Sequence, residues 1–397
     1  MSPPRIYLDN AATSWPKPPA VYEAVDRYQR ELGAPGGRSA YADAVAATAL
    51  VERARRGVAR LIGAEHSRQV ALGYSGTDVL NLAIRGVLRP GDHVIATDAE
   101  HNSVLRPLRA LVDQGLIETS YARCDAAGFV DPDELQRLLR PTTRLVAVVH
   151  ASNVTGAIQP IGDVRRVLAD HQALLLVDAA QTLGHVPLDV EASGVDLLAA
   201  PAHKGLLGPL GTGFLYIRPG VERLLEPLRY GGNGSQCDDD RQPEELPDKY
   251  ESGNHNLPGL AGLAAALDVI EAQGVAELAA HHARLTTRLL DGLAGMGGVT
   301  VYGPPAGSRR TSVVSVNVDD YDPQELAALI EATHGVQCRA GLHCAPRMHA
   351  ALGTTARGGA VRLSLGFATT DQDVDAALHG LDQAASATIS SLPARNE

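Results

Sequence analysis

Between Pro16 and Pro219 the chain alternates short apolar runs, bounded by turn residues, with longer segments whose apolar residues recur at three-and-four spacing. The runs His93 to Thr97, Leu145 to His150, Leu174 to Asp178, Asp196 to Ala200 and Gly213 to Ile217 have the length and aliphatic character of buried strands. Ala20 to Leu32, Asp43 to Ile62, Thr77 to Leu88 and Gly162 to His171 read as amphipathic helices. Such alternation builds βα units, and hence an α/β fold with a largely parallel sheet covered on both faces. A polar stretch, Tyr230 to Asn256, interrupts the pattern and reads as a long surface excursion. An Ala/Leu-rich helix follows at Leu260 to Gln273. Strands at Val313 to Val318 and Val361 to Leu365, interleaved with helices at Pro323 to Thr333 and Asp371 to Ala384, predict a smaller α/β domain. The expected division is a large domain over residues 16–258 and a small one over residues 1–15 and 259–397.

Composition narrows the function classes. The 397 residues are 45% hydrophobic and 20% charged, enough for more than one core, which argues against disorder or a fibre. A net charge of −11 has the wrong sign for a chain that works on phosphate backbones or anionic lipid, so neither nucleic acid nor membrane is an expected partner. Cys124, Cys237, Cys338 and Cys344 do not form a disulfide framework in a chain this long, and reduced thiols fit better. Pro3, Pro4 and Arg5 stand where a secretory leader needs an apolar run, so a cytoplasmic location is expected.

Three segments carry chemistry. In Pro201-Ala202-His203-Lys204-Gly205 a lysine sits in a Gly- and Pro-rich turn just after a strand, where desolvation lowers an amine's pKa and frees it as a nucleophile. Asp178 ends the strand Leu174 to Asp178, the place where α/β sheets bind ligands, and stands 26 positions before Lys204. Gly73-Tyr74-Ser75-Gly76-Thr77-Asp78 opens a helix whose free N–H groups make an anion site. Taken singly, each also has an ordinary reading: a solvated surface lysine, a helix cap and a capping turn.

Together with IYLDNAATSWPKP at residues 6–18, EHNSVLRPL at 100–108, HASNVTGAI at 150–158, VDAAQTLGHVPLDV at 177–190, HKGLLGPLGTGFLY at 203–216, RAGLHCAP at 339–346 and VRLSLGFATT at 361–370, these segments run in one order along the chain. In that order the sequence resembles the class V aminotransferase-fold, pyridoxal-phosphate-dependent cysteine desulfurases of the SufS-like group. The resemblance implies the fold type I architecture of pyridoxal-phosphate-dependent transferases, with a mostly parallel seven-stranded sheet in the large domain. It implies pyridoxal 5'-phosphate as cofactor, with Lys204 as the Schiff-base lysine and Asp178 as partner of the pyridine nitrogen. Gln181 and Asn153 would reach the ring's phenolic oxygen, and His101 would stack on the ring and take part in proton transfer. Ser75, Gly76, Thr77 and His203 would hold the phosphate. Arg362, with Arg339, would take the substrate carboxylate, and Asn10, Ala11 and Ala12 would line the substrate side.

Cys344 matches the family's sulfur-accepting nucleophile, and its neighbours Arg339 and His343 are suited to favour a thiolate. A free cysteine is also often a small buried hydrophobe. The set Cys338, His343, Cys344 and His349 matches no common zinc spacing, and no metal is expected. The implied reaction takes sulfur from L-cysteine, gives L-alanine, and passes the sulfur from a Cys344 persulfide to an acceptor protein or small thiol, in a homodimer. A C–S β-lyase, a selenocysteine lyase or another reaction on the same fold stands as the alternative, and a non-enzymatic scaffold is a third reading.

Two positions depart from the family pattern. Pro201 replaces a hydroxyl residue that bonds the phosphate, and Asn254, in Glu251-Ser252-Gly253-Asn254, replaces a threonine lent to the neighbouring subunit's phosphate.

Overall fold

A computed structural model describes residues 3–37, 39–232 and 238–391, with the side chains of 388–391 left aside; Cys237 lies outside the described residues. Its centre is a seven-stranded sheet in the order Val70–Gly73, Gly213–Ile217, Leu197–Pro201, Leu174–Asp178, Thr143–Val149, His93–Thr97, Glu118–Ala122. Six strands run in one direction, and Gly213–Ile217 is antiparallel to both of its neighbours. The central strands read as unbroken apolar runs because both faces are covered. Leu175 and Val177 face one core with Val58 and Leu263, whereas Leu174 and Leu176 face another with Leu80, Ile84 and Leu108.

The helix at Gly76–Val87 begins where the sequence places the anion-binding turn. The expected helix at Ala20 to Leu32 divides into an α-helix, Pro19–Arg27, and a π-helical turn, Tyr28–Leu32. Val70–Gly73 and the polar edge strand Glu118–Ala122 carry too little apolar pattern to be read from sequence.

A second sheet, antiparallel throughout, is ordered Arg339–Gly341, Ala360–Ser364, Val313–Val318, Val299–Tyr302. It packs against Val275–Leu293, Pro323–His334 and Asp371–Ser391 through Leu285, Leu289, Leu326, Ile330, Val374 and Leu381. The helix Leu257–Gln273, which spans the expected boundary at residues 258 and 259, contributes Leu257, Leu260, Leu263 and Leu267 to the core of the large sheet. No single helix among the described residues is long and apolar enough to cross a membrane.

Two segments tie the sheets to their surroundings. Residues 8–17 form the first: the backbone of Leu8, Asn10 and Ala11 bonds to Ser364 of the small sheet, while Thr13, Ser14 and Lys17 all donate to the carbonyl of His203 in the large one. In the second, the excursion after Tyr230 is anchored where Glu251 accepts from the Leu72 backbone N–H at 2.6 Å and from both ends of the Arg55 guanidinium at 2.5 and 2.9 Å. His255 adds a contact at 2.9 Å.

Burial works to raise the Glu251 carboxyl, but Arg55 and His255 outweigh it and hold it at about 2. A depressed acid stabilises the fold above its unfolded pKa, and that contribution is lost as pH falls from the ordinary carboxylate range toward 2. Arg55→Leu strands the Glu251 charge and is expected to lower the unfolding free energy at pH 7 by about 3–5 kcal/mol. Urea titration at several pH values checks this, and the variant should also lose part of the wild type's acid-induced decline.

Candidate active site

The connection from Leu197–Pro201 to its antiparallel neighbour Gly213–Ile217 carries Lys204. It is closed by Ala202 N–H to Thr212 O at 3.0 Å, Gly208 N–H to Ala202 O at 2.8 Å and Leu207 N–H to Lys204 O at 2.9 Å. Gly205 is required there because a Cβ would come within 2.3 Å of the Leu183 carbonyl oxygen. The turn is thus pressed against the segment that follows Asp178, and its lysine points into a cavity of about 220 Å³. Ala11, Ala12, Ser75, Gly76, Thr77, His101, Asn153, Asp178, Gln181, His203, Arg339 and Arg362 line the same cavity, so most of the residues singled out in sequence converge on it.

Burial pushes the Lys204 amine down to about 8, helped by Arg362 and Arg339, while Asp178 opposes the shift. Burial also raises the Asp178 carboxyl, against the Ala180 N–H it accepts at 3.0 Å and the charge of Lys204. His101 is the N-cap of the helix Asn102–Asp113, and its Nδ1 accepts from Ser103 N–H at 3.0 Å. Burial, then Lys204 and Arg339, lower its pKa to about 4, so at neutral pH it is an uncharged ring whose proton sits on Nε2.

At the mouth of the helix Gly76–Val87, Ser75 Oγ accepts from Asp78 N–H at 3.1 Å. That leaves the Gly76 and Thr77 N–H groups as the free donors of the first turn. Pro201 stands directly beneath them: a Cβ on Gly76 would lie 3.0 Å from the Pro201 ring. The proline therefore fills space under the anion site where a hydroxyl would otherwise point.

On the small-sheet side Arg339 and Arg362 are cross-strand partners. Arg362 is almost wholly buried, donating to Asp9 Oδ1 at 2.7 Å and to Asn153 O at 3.2 Å. Arg339 Nη2 lies 3.2 Å from Cys344 Sγ. Two guanidiniums thus line the cavity, the kind of donor set that suits a carboxylate. His343 does not serve as the cation expected beside the thiol. It is buried, burial and Arg362 drive its pKa to about 2, and its Nε2 reaches the Arg339 carbonyl at 3.2 Å.

Three of the expected residues do not line this cavity, and one of them, Cys344, meets it through Arg339. Asn10 faces a smaller hollow behind Lys204, and its amide is committed to the Ser364 carbonyl at 3.0 Å and the Trp15 N–H at 3.3 Å. Asn254 lines a separate hollow with Arg55, Glu251 and His255, and its carbonyl accepts from Tyr74 Oη at 2.9 Å.

Three residues escaped the sequence reading. Asp9 orients Arg362. Lys17, lowered to about 8 by burial, joins Ser14 on the His203 carbonyl. Glu100 accepts from Thr97 Oγ1 at 2.7 Å and from Val149 N–H at 2.8 Å, and burial lifts it to about 8, which keeps a second negative charge away from Asp178 at neutral pH. Their position inside the motif segments at residues 6–18 and 100–108 was the available signal.

The family model for aminotransferase class-V matches residues 6–377. The chain belongs to the class-V aminotransferase family. A relative from Methanothermobacter thermautotrophicus, named "Probable cysteine desulfurase", is 36% identical over 93% of this chain and 92% of its own. The apo structure of a cysteine desulfurase from Thermococcus onnurineus superposes with a TM-score of 0.90 at 31% identity, covering 96% of this chain and 95% of that one. A crystal structure of the cysteine desulfurase CsdA from Escherichia coli superposes with a TM-score of 0.86 at 29% identity, with 96% and 95% covered.

The family depends on pyridoxal phosphate, and the cavity suits that group. Asn153 Oδ1, His203 Nδ1 and Arg362 Nε are buried there without a protein partner, a set of donors and acceptors arranged for a polar ligand.

Because Asp178 is the charge that opposes the depression of Lys204, Asp178→Asn should lower that amine's pKa further. In protein stripped of carbonyl cofactor, Lys204 acylation at pH 7, followed by peptide mass mapping, should accelerate by up to about tenfold, the ceiling for an amine one unit below its pKa.

Proposed function

We propose that this protein is a pyridoxal-phosphate-dependent cysteine desulfurase, which removes sulfur from L-cysteine, releases L-alanine, and carries the sulfur as a persulfide on Cys344. The carrying observation is that one cavity holds a desolvated lysine, a buried aspartate and two guanidiniums, with a thiol against one of those guanidiniums. Gly76, Thr77 and His203 would hold the phosphate, Asp178 a proton on the pyridine nitrogen, and Gln181 and Asn153 the phenolic oxygen. When bound, the group supplies a sink for the negative charge left on the substrate's α-carbon once its proton is removed.

Lys204 is placed to take that proton, and an amine that titrates near 8 is well matched to accept and return it near neutral pH. His101 contributes an uncharged ring face and an Nε2–H donor. Arg362, with Arg339, fixes the substrate carboxylate and thereby sets which bond at the α-carbon faces Lys204. The Cys344 thiolate then attacks the substrate sulfur: an S–S bond forms and the Cβ–S bond breaks. The bonding pair stays with the carbon skeleton, which takes up protons and leaves as alanine. Cysteine and enzyme thiol are thus converted to alanine and enzyme persulfide, with no external oxidant or reductant. An acceptor protein or small thiol removes the outer sulfur.

A homodimer belongs to the same reading, supported by Asn254 not lining its own chain's cavity. So does a cytoplasmic location, supported by cysteines that are scattered along the chain.

Incubation with cysteine under reducing conditions should yield alanine and sulfide together, whereas pyruvate and ammonia would make the protein a C–S β-lyase. Cys344→Ser should lose at least about a hundredfold in alanine formation while keeping the yellow cofactor absorbance. Unchanged turnover would remove Cys344 from the reaction. Borohydride trapping should place the cofactor label on the peptide containing Lys204.

A further inference from the structure

The turn that presents Cys344 is held in an unfavourable backbone conformation. His343 and Cys344 both adopt left-handed angles, φ +49° and +59°, which tax residues with a Cβ by roughly 1–3 kcal/mol each. Both carbonyls of the turn are held, His343 O by Asn153 Nδ2 at 2.6 Å and Cys344 O by the Asn102 N–H at 2.8 Å, and the side chain of His343 adds a third tie. Its Nε2 meets the Arg339 carbonyl at 3.2 Å, and its Nδ1 meets His349 Nε2 at 3.1 Å. His349 Nδ1 in turn meets Thr354 Oγ1 at 2.7 Å. All three side chains are buried, at 2%, 0% and 1% exposure.

The direction of the chain follows from its anchor. A carbonyl only accepts, so His343 carries its proton on Nε2 and is bare at Nδ1. His349 must then donate through Nε2 and accept at Nδ1, where the Thr354 hydroxyl supplies the proton. Both rings are neutral, since burial lowers them to about 2 and about 4. Every ring nitrogen is thereby satisfied, and the carbonyl of Arg339 is tied to the side chain next to Cys344. That closure brings the Arg339 guanidinium onto the Cys344 sulfur five residues later. The far end is rigid: Thr354 N–H donates to the His349 carbonyl at 3.0 Å.

We propose that His349 and Thr354, acting through His343, are positioning residues for the nucleophile: a one-directional hydrogen-bonded strut keeps the turn closed so that the Arg339 guanidinium stays on the Cys344 sulfur. The role in sulfur abstraction rests on the desulfurase reading, whereas the role in thiol reactivity does not.

The test compares His349→Leu and Thr354→Val with the rescuing variants His349→Gln, whose amide donates from the same place, and Thr354→Ser, which keeps the hydroxyl. Two quantities are read: the rate of iodoacetamide alkylation at Cys344 by peptide mass mapping, and kcat and KM for alanine formation. His349→Leu and Thr354→Val should each slow Cys344 alkylation by about tenfold, the loss expected when a thiolate gives up a charged partner. kcat/KM should fall in parallel, and His349→Gln and Thr354→Ser should recover most of both. Thr354→Val is nearly isosteric and keeps the test available if His349→Leu does not fold. Unchanged alkylation in Thr354→Val, or losses that neither conservative variant rescues, overturns the strut. Wild-type protein that forms no alanine would instead overturn the desulfurase reading and leave the alkylation result standing.

Discussion

The site depends on taking one lysine out of water and giving it a single buried carboxylate for company. Lys204 reaches this state because its turn connects two central, fully buried strands, and because Gly205 lets that turn press against the segment leaving Asp178. Burial lowers the amine toward neutrality and raises the acid, and each group's charge opposes the other's shift. Lys204 is thereby brought close to the middle of its titration at neutral pH. An exposed lysine would be a fully charged, hydrated cation and a poor base.

Around this pair the protein distributes charge with care. The cavity already contains two guanidiniums, one of them nearly inaccessible to water, and each has a counter-charge or soft partner: Asp9 for Arg362 and Cys344 for Arg339. The carboxyl at Glu100 is pushed toward its neutral form, and the histidines His101, His203 and His343 are all depressed by burial and nearby cations. The charges of Lys204 and Asp178 offset one another, and the two guanidiniums bring positive charge from the small sheet.

Much of this was legible in the sequence. The strand Leu174–Asp178 announced itself as an unbroken apolar run ending in an acid, and the structure places that acid in the cavity with Lys204, Gln181 and His101. The edge strand Glu118–Ala122 was not legible, because a polar, half-exposed strand carries no distinctive hydrophobic period. Nor was the splitting of Ala20 to Leu32 into α- and π-helical parts, since both keep a similar apolar stripe. Asn10 shows a different limit: it stands beside the cavity in sequence order, yet its amide is taken by the backbone of Ser364 and Trp15. His343 shows the same limit in electrostatic form, because adjacency to Cys344 said nothing about the burial that removes its charge.

The amino-acid sequence by itself determined the alternation of strands and helices, the apolar faces that close two cores, and the presence, in order, of an anion-binding turn, an acid, a lysine and a thiol. These are local properties, set by hydrophobic period, turn chemistry and residue type. Only the tertiary structure decided which charges survive and which atoms meet. Desolvation depends on everything packed around a group, and the contacts that matter join residues far apart in the chain, such as Asp9 to Arg362 and Asn153 to the carbonyl of His343.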